Sequence, residues 1–380
     1  MLSGNGRALK VVVVGGSLGG LFNAIALRSL GYEVEIFEKS SGLMKDRGAG
    51  IVFQHEVGEL LTRYQVAPLE SVVVPVRTRR YLDHDGTVSQ EEPMPQAMTS
   101  WDALYRKLRT AYSDDHYNTG ARLVGFDATD EQVTARFDGG RVEVCDLLIG
   151  ADGPGSTVRQ LVLPAVQSEY AGYVAWRGVV LEHQAPELAA EFADRFTFFQ
   201  APHTHILCYL IPGPDGSLLP GQRRLNWVWY LNAAPGEELD RVLTDKDGRR
   251  REFSVPQGFV TPDMLGWLHH QAQNTLPPTF LRLVKATGDP FLQTIHDLAV
   301  PNMAFGRMCL TGDAAFVPRP HTAASTAKAA ANALGLANCL TATGGDVEKA
   351  LRRWEPDQLK LGERLRVFGQ RLGNRSQFSK

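Results

Sequence analysis

The sequence predicts an α/β chain in which a parallel-sheet unit is combined with an antiparallel β region and a terminal helix. Three observations predict it. A β-branched run, Leu9 to Val14, passes through a glycine-rich turn into a helical pattern and then a second strand. Two later apolar strands, Asp146 to Gly150 and Arg307 to Thr311, each run into a turn that pairs Gly with Asp. Between them lies a stretch of aromatic and β-branched segments with turn signals.

The first strand is continuous and apolar, as expected of a strand buried on both faces. Gly15-Gly16-Ser17-Leu18-Gly19-Gly20 follows and opens a helix patterned by Leu21, Ala24, Ile25, Leu27 and Leu30, with Gly31 closing it. Val34 to Phe37 is the next strand and Glu38 ends it, followed by Lys39. This is a Rossmann-like βαβ unit of the GxGxxG type, with Ser17 at the usual second glycine. Gly15 and Gly20 let the backbone approach a pyrophosphate. The helix start at Ser17 and Leu18 offers unpaired N–H groups to it, and Glu38 is placed to accept from ribose hydroxyls. A tight strand–helix turn without a ligand is the bland alternative, and the complete strand–turn–helix–strand–Glu context favours nucleotide binding.

The strand from Asp146 runs into Ala151-Asp152-Gly153, with Ser156 and Arg159 opening a helix. The strand from Arg307 ends in Gly312-Asp313-Ala314-Ala315, then Pro318-Arg319-Pro320-His321. Each alone reads as a common turn. Their order behind the glycine-rich unit carries more than either.

These segments resemble the fingerprints of the class A flavoprotein monooxygenases, the p-hydroxybenzoate hydroxylase type. The stretches Gly172-Tyr173-Val174-Ala175-Trp176-Arg177-Gly178 and Gly312 through His321 resemble, more narrowly, the 2,6-dihydroxypyridine 3-hydroxylase branch. The resemblance runs from about Leu9 to about Leu340. It implies FAD as cofactor, with NADH or NADPH as a transient co-substrate. It also implies hydroxylation of a small aromatic or hydroxypyridine-like ring by dioxygen, through a flavin hydroperoxide. Asp313 would hydrogen-bond the ribityl chain, and Asp152 and Gly153 would belong to a segment serving both FAD and the nicotinamide. Gly48-Ala49-Gly50-Ile51 would form the loop beside the flavin. Pro320 would sit against the ring system, and Ala323, Ala324 and Ser325 would open a helix whose N–H groups face it. Phe316 stands where many relatives have His. Trp101 stands where many have an arginine, for which Arg106 or Arg47 could compensate. Ala323, Ala324 and Ser325 replace the usual glycines.

The helix after Pro320 is poor in large side chains, which suits either a flat ligand or another helix. In the middle region Phe196 to Phe199, His205 to Leu210 and Leu225 to Tyr230 read as strands, with a turn at Pro212 to Gly216. An antiparallel sheet is expected to cover the flavin's reactive face. Candidate pocket groups are His203, His205, Tyr209, Asn226 and Tyr230, of which strand alternation admits only a subset. Arg177 is a candidate for holding substrate, flavin or the domain interface. His321 is a candidate base on a substrate hydroxyl or, equally, a structural histidine.

The expected organisation is an FAD-binding unit over 1–75, 100–171 and 290–345, a substrate unit over 76–99 and 172–289, and a C-terminal helix from about Val347 to Arg371 within 346–380. That helix is expected on the outside or at a dimer face. With 40 Lys plus Arg against 42 Asp plus Glu, the net charge of −2 and the absence of a basic stripe speak against nucleic acid. Four scattered cysteines form no CxxC pair, and no metal site is expected. The short polar start suggests no signal peptide and no stretch suggests a membrane span, so a soluble cytoplasmic protein is the default. The oligomeric state is open, with a homodimer one option. Two other readings stand beside hydroxylation: an epoxidase or oxidase on the same fold acting on a natural product, and a catalytically idle FAD-binding protein.

Overall fold

A computed structural model of the chain describes residues 8–42 and 50–379. Arg47, Gly48 and Ala49 lie outside the described residues. The nucleotide-type unit is a six-stranded sheet in the order Ala304–Phe305, Met308–Leu310, Leu147–Gly150, Lys10–Val14, Glu33–Glu38, Tyr117–Thr119. All its pairings are parallel except the edge hairpin at Phe305 and Met308. Val11 to Val13 are fully buried, which is why this strand is apolar on both faces. In register, Val14 lies beside Gly150, and Gly150 beside Leu310. The glycine-rich turn and both Gly/Asp turns therefore leave the sheet at one edge, the carboxyl ends of the strands, where open α/β sheets bind ligands.

Helix Leu18–Arg28 packs against the alanine-rich helix Ser325–Ala342. The Cβ of Ala329 lies 3.7 Å from where Gly19 would carry one, and 3.5 Å from that of Gly312. Small residues here serve helix–helix and helix–turn approach. A three-stranded sheet, Leu123–Ala128, Val133–Phe137 and Val142–Cys145, adds Phe137, whose ring stacks on Phe37 at 4.2 Å.

The second sheet runs Ser254–Val255, Phe291–Ala299, Glu169–Leu181, Arg224–Asn232, Thr204–Ile211, Arg195–Ala201, Val74–Leu82, Val88–Ser100, Gly50–Phe53. The predicted middle strands all belong to it. Its pairings are antiparallel except Arg195–Ala201 with Val74–Leu82. Two segments correct the expected boundaries. Phe291–Ala299 pairs with Glu169–Leu181, placing Leu292 beside Trp176, and Gly50–Phe53 pairs with the end of Val88–Ser100. Both segments thus sit in the substrate-side sheet. One face of this sheet carries Trp176, Trp227, Trp229, Ile206 and Cys208, all fully buried in a core shared with helices Pro186–Phe192, Pro262–Thr275 and Pro278–Lys285. The alternate residues point the other way.

The terminal helix runs Val347–Phe378, longer than expected, with Pro356 inside it. Asp346 caps it by accepting from the Lys349 N–H at 3.0 Å. Its buried stripe, Leu351, Trp354, Gln358, Gly362, Gly369, Gly373 and Gln377, narrows to glycine where it crosses Phe316, Arg319 and Tyr173. The helix packs on the outside of the fold, with Val367 and Phe368 exposed, and Phe368, Leu372 and Ser376 also line the edge of the main cavity. No helix among the described residues is long and apolar enough to cross a membrane.

Candidate active site

The turn after the first strand is built by exclusion of side chains. Gly15 has φ +105°, and a Cβ there would lie 2.7 Å from the Asp152 Cα. At Gly20 it would run into the Gly15 carbonyl, and at Gly16 it would lie 2.5 Å from Cζ of Tyr117. Strand ends, turn and helix start are thus pressed together as a dinucleotide cradle requires. Ser17 is the N-cap of the helix in extended backbone, yet its side chain makes no capping hydrogen bond. The Ser17 hydroxyl and the N–H groups around Leu18 are therefore not consumed by a cap.

Glu38 is buried, and each of its oxygens accepts one backbone N–H, from Gly16 at 2.8 Å and Ser40 at 2.8 Å. It holds the turn and keeps acceptor capacity for a ribose. Lys39 beside it is exposed. Asp152 is held within its own segment. Its carboxylate accepts from the Ser156 hydroxyl at 2.5 Å and from the N–H groups of Thr157 and Val158 at 2.7 and 3.2 Å. It closes the start of helix Thr157–Val162, and its side chain does not line the cavity. Arg159, buried, joins the two later motifs by donating to the carbonyls of Pro154 at 2.5 Å and Ala314 at 3.0 Å.

A cavity of about 1980 Å³ opens between the second sheet, the Pro318 to Thr326 segment and the terminal helix. It exceeds the roughly 300–1,000 Å³ of an ordinary ligand pocket, room for one end of a large cofactor together with a substrate, while Gly15, Ser17, Leu18, Gly20, Glu38 and Lys39 do not line it. Gly50, Asp313, Pro320, Ala323, Ala324 and Ser325 all line it. Arg106 does not. Its guanidinium donates to the Pro214 carbonyl and lies 3.9 Å from Asp102, one helical turn away, so the proposed compensation by Arg106 is corrected. Trp101 lines the cavity and stacks on Tyr105 at 4.6 Å.

The floor is laid out by strand register. His205 sits beside Tyr230, Leu207 beside Val228, and Arg177 beside Val228 on its other side. His205, Tyr209, Tyr230 and Arg177 all face the cavity. Two other candidates do not. His203 shares a hydrogen bond with the Gln377 carbonyl at 2.8 Å, and Asn226 accepts from the Gly50 N–H at 2.9 Å behind the wall. Asn226 has the right alternation, but the added strand Gly50–Phe53 covers it, which alternation alone does not reveal.

His321 lies against Tyr230 with ring centroids 4.2 Å apart and stacks on His205 at 5.5 Å. Its Nε2 shares a hydrogen bond with the Tyr173 hydroxyl at 3.1 Å. Burial, then His205, then Arg319 hold its pKa well below the usual histidine value, so it is neutral. Burial likewise lowers His205 to about 4. Tyr209 is buried edge-on to Phe196 and its hydroxyl makes no hydrogen bond among the described residues; burial pushes that phenol up, so it stays protonated. The Nε of Arg177 is buried without a hydrogen-bond partner, and among the described residues no carboxylate stands within ion-pair distance of it. On an aromatic-walled floor, the Arg177 guanidinium and the Tyr209 hydroxyl are polar groups that can fix the orientation of a flat ligand. Sequence reasoning missed Gln54, which donates to the Ala323 carbonyl at 2.6 Å on the cavity wall, and Lys328.

A family model described as FAD binding domain-like matches residues 170–297. The chain is 36% identical over 355 residues to 2,6-dihydroxypyridine 3-monooxygenase of Paenarthrobacter nicotinovorans, covering 93% of this chain and 88% of that one. It is 25% identical over 350 residues to 6-hydroxynicotinate 3-monooxygenase of Pseudomonas fluorescens, covering 88% and 83%. The solved structure of 2,6-dihydroxypyridine-3-hydroxylase from Arthrobacter nicotinovorans superposes with a TM-score of 0.92 at 34% identity, over 98% of this chain and 93% of that one.

Proposed function

The chain belongs to the class A FAD-dependent aromatic monooxygenases, and we propose that it hydroxylates a small hydroxypyridine-like ring with NADH or NADPH and dioxygen. The observation that carries this reading is the floor formed by Arg177, Tyr209, Tyr230, His205 and His321, facing the Pro320 to Ser325 wall across one cavity. Bound FAD supplies the redox chemistry of oxygen activation. Gly15, Ser17, Leu18, Gly20 and Glu38 would hold its pyrophosphate and ribose end, and Asp313 with the Ala323 to Ser325 backbone its ring end.

The remaining roles fall to the protein. Phe198, Tyr230 and the His321 ring supply flat apolar walls for the substrate. Arg177 supplies the counter-charge for an ionised ring oxygen, lowering the substrate hydroxyl's pKa by stabilising the anion. His321, neutral at physiological pH, takes the hydroxyl proton, and Tyr173 fixes its ring through Nε2. A depressed histidine pKa makes it a weak base, so proton removal depends on Arg177 acting on the anion at the same time. Tyr209 hydrogen-bonds a second ring substituent. The terminal helix contributes Phe368 and Leu372 as apolar lining at the edge of the cavity.

The test is nicotinamide oxidation by FAD-loaded protein across hydroxypyridines and phenols, with product mass recorded. Stimulated oxidation with a product one oxygen atom heavier is expected. Arg177→Gln is expected to lower kcat/KM for ionisable rings by about 10- to 100-fold, the loss of one charge-assisted hydrogen bond. Bound FAD with no stimulation by any ring in the panel overturns the substrate reading.

A further inference from the structure

Lys328 lies at the end of the first turn of the alanine-rich helix and is buried, its side chain 1% exposed. A lone ammonium in such a place is costly unless paired, and burial pulls its pKa down while Asp313 opposes that shift. Its partners are specific. It donates to Asp313 Oδ1 at 2.9 Å and to the Phe316 carbonyl. The same Oδ1 accepts from the Ser325 hydroxyl at 2.6 Å. The other carboxylate oxygen, Oδ2, makes no hydrogen bond among the described residues, and the Asp313 side chain, 36% exposed, lines the cavity. The preceding peptide is tied to the same helix, since the Gly312 N–H donates to Asn332 Oδ1 at 2.8 Å. One oxygen of Asp313 is thus clamped from beneath and the other is presented to the cavity.

We propose that Lys328 is a positioning residue for FAD, which with Ser325 locks Asp313 so that Oδ2 faces the cavity as a fixed acceptor for a hydroxyl of the cofactor's polyol chain. The proposal rests on FAD being the cofactor. Without Lys328, Asp313 can turn into solvent, and the cofactor must order it on binding. Lys328 does not touch the polyol itself, so its loss acts on affinity for the flavin half alone.

The experiment titrates apoprotein with FAD, by quenching of flavin fluorescence, and with ADP, by calorimetry, for wild type, Lys328→Met, Lys328→Arg and Asp313→Asn. Lys328→Met is expected to weaken FAD binding about 10- to 100-fold, with ADP affinity within twofold of wild type. Lys328→Arg, which keeps a cation, recovers part of the loss. In an Asp313→Asn background, Lys328→Met costs little further, because the clamp has lost its charge. An unchanged FAD affinity in Lys328→Met overturns the proposal. So does a parallel loss of FAD and ADP binding, which marks a merely structural residue. If Lys328→Met does not fold, Asp313→Asn and the Lys328→Met/Asp313→Asn pair carry the test, and equal FAD affinity in Asp313→Asn and wild type then overturns it. Wild-type apoprotein that binds no FAD would instead fail the cofactor reading.

Discussion

Gly362→Ala in the terminal helix probes the contact that seats this helix over the cavity. A Cβ at Gly362 would fall 2.5 Å from Cγ and Cε2 of Phe316. Apolar carbons settle at about 3.5–4.0 Å, so the ring or the helix must retreat by about 1 Å. Phe316 is buried and its strand is held by pairing with Ala299, so neither yields freely. Overpacking of this kind costs about 1–3 kcal/mol, while Gly to Ala in a helix interior gains up to about 1 kcal/mol, leaving a net loss of about 1–2 kcal/mol at a site this rigid. Gly266 in helix Pro262–Thr275 is the control: nothing lies within 4 Å of its would-be Cβ, so Gly266→Ala keeps the propensity gain. The two substitutions are expected to shift urea unfolding midpoints in opposite directions. Combining Gly362→Ala with Phe316→Leu makes room for the methyl, and the pair is expected to be less destabilised than the sum of its parts by about 1 kcal/mol. A Gly362→Ala protein stabilised to the same extent as Gly266→Ala would refute the seating of this helix on Phe316.

Acid should weaken the fold through the buried floor histidine. The folded pKa of His205 is about 4, below its unfolded value, so the unfolded chain binds the proton first. Its contribution is constant above about pH 7 and is lost as pH falls from about 6.5 towards 4, by at most about 1.4 kcal/mol per pH unit. Between pH 7.5 and 5.5 wild type is expected to lose about 1 kcal/mol more stability than His205→Gln, by urea unfolding at each pH; equal losses would exclude His205 as the cause. Tyr117→Phe removes a hydroxyl that donates to the Gly16 carbonyl at 2.8 Å and pairs with the Tyr105 hydroxyl at 3.1 Å. A loss of about 1 kcal/mol in stability is expected, with weaker FAD binding as the turn loosens, and unchanged values for both would count against this tie.

The βαβ unit is legible in the sequence because each of its signals is local. The β-branched run, the glycines, the helical spacing and Glu38 all lie within residues 9–38. The fate of Phe291–Ala299 is not local. Its character as a strand is readable, but its partner, Glu169–Leu181, lies more than a hundred residues earlier, and only pairing assigns it to the second sheet. The floor residues fall between these cases. Alternation separates His205, Tyr209 and Tyr230 from the buried tryptophans, yet it also admits Asn226, which a strand from another part of the chain covers. Arg106 is one helical turn beyond Trp101 and available to a ligand on the sequence alone, but its guanidinium donates to the Pro214 carbonyl in a turn about a hundred residues later. Lys328 carried a signal that was readable in hindsight of burial alone: a single cation inside an alanine run that must pack against a helix.

Two close fits set the shape of the segment from Phe316 to Ser325. Phe316 packs where the terminal helix has glycine at 362. Ala323 adopts φ +52°, the left-handed region, at a cost of about 1–2 kcal/mol for a residue with a Cβ. Such strain persists only where the surroundings over-determine it. Here the Ala323 N–H donates to the Pro320 carbonyl at 2.9 Å, and its own carbonyl accepts from Gln54 at 2.6 Å. Gln54 follows directly on the strand Gly50–Phe53 that covers Asn226. The bond from Gln54 therefore joins the two walls of the cavity at the strained residue, and the geometry of the Pro320 to Ser325 segment depends on the second sheet as much as on the helix it opens.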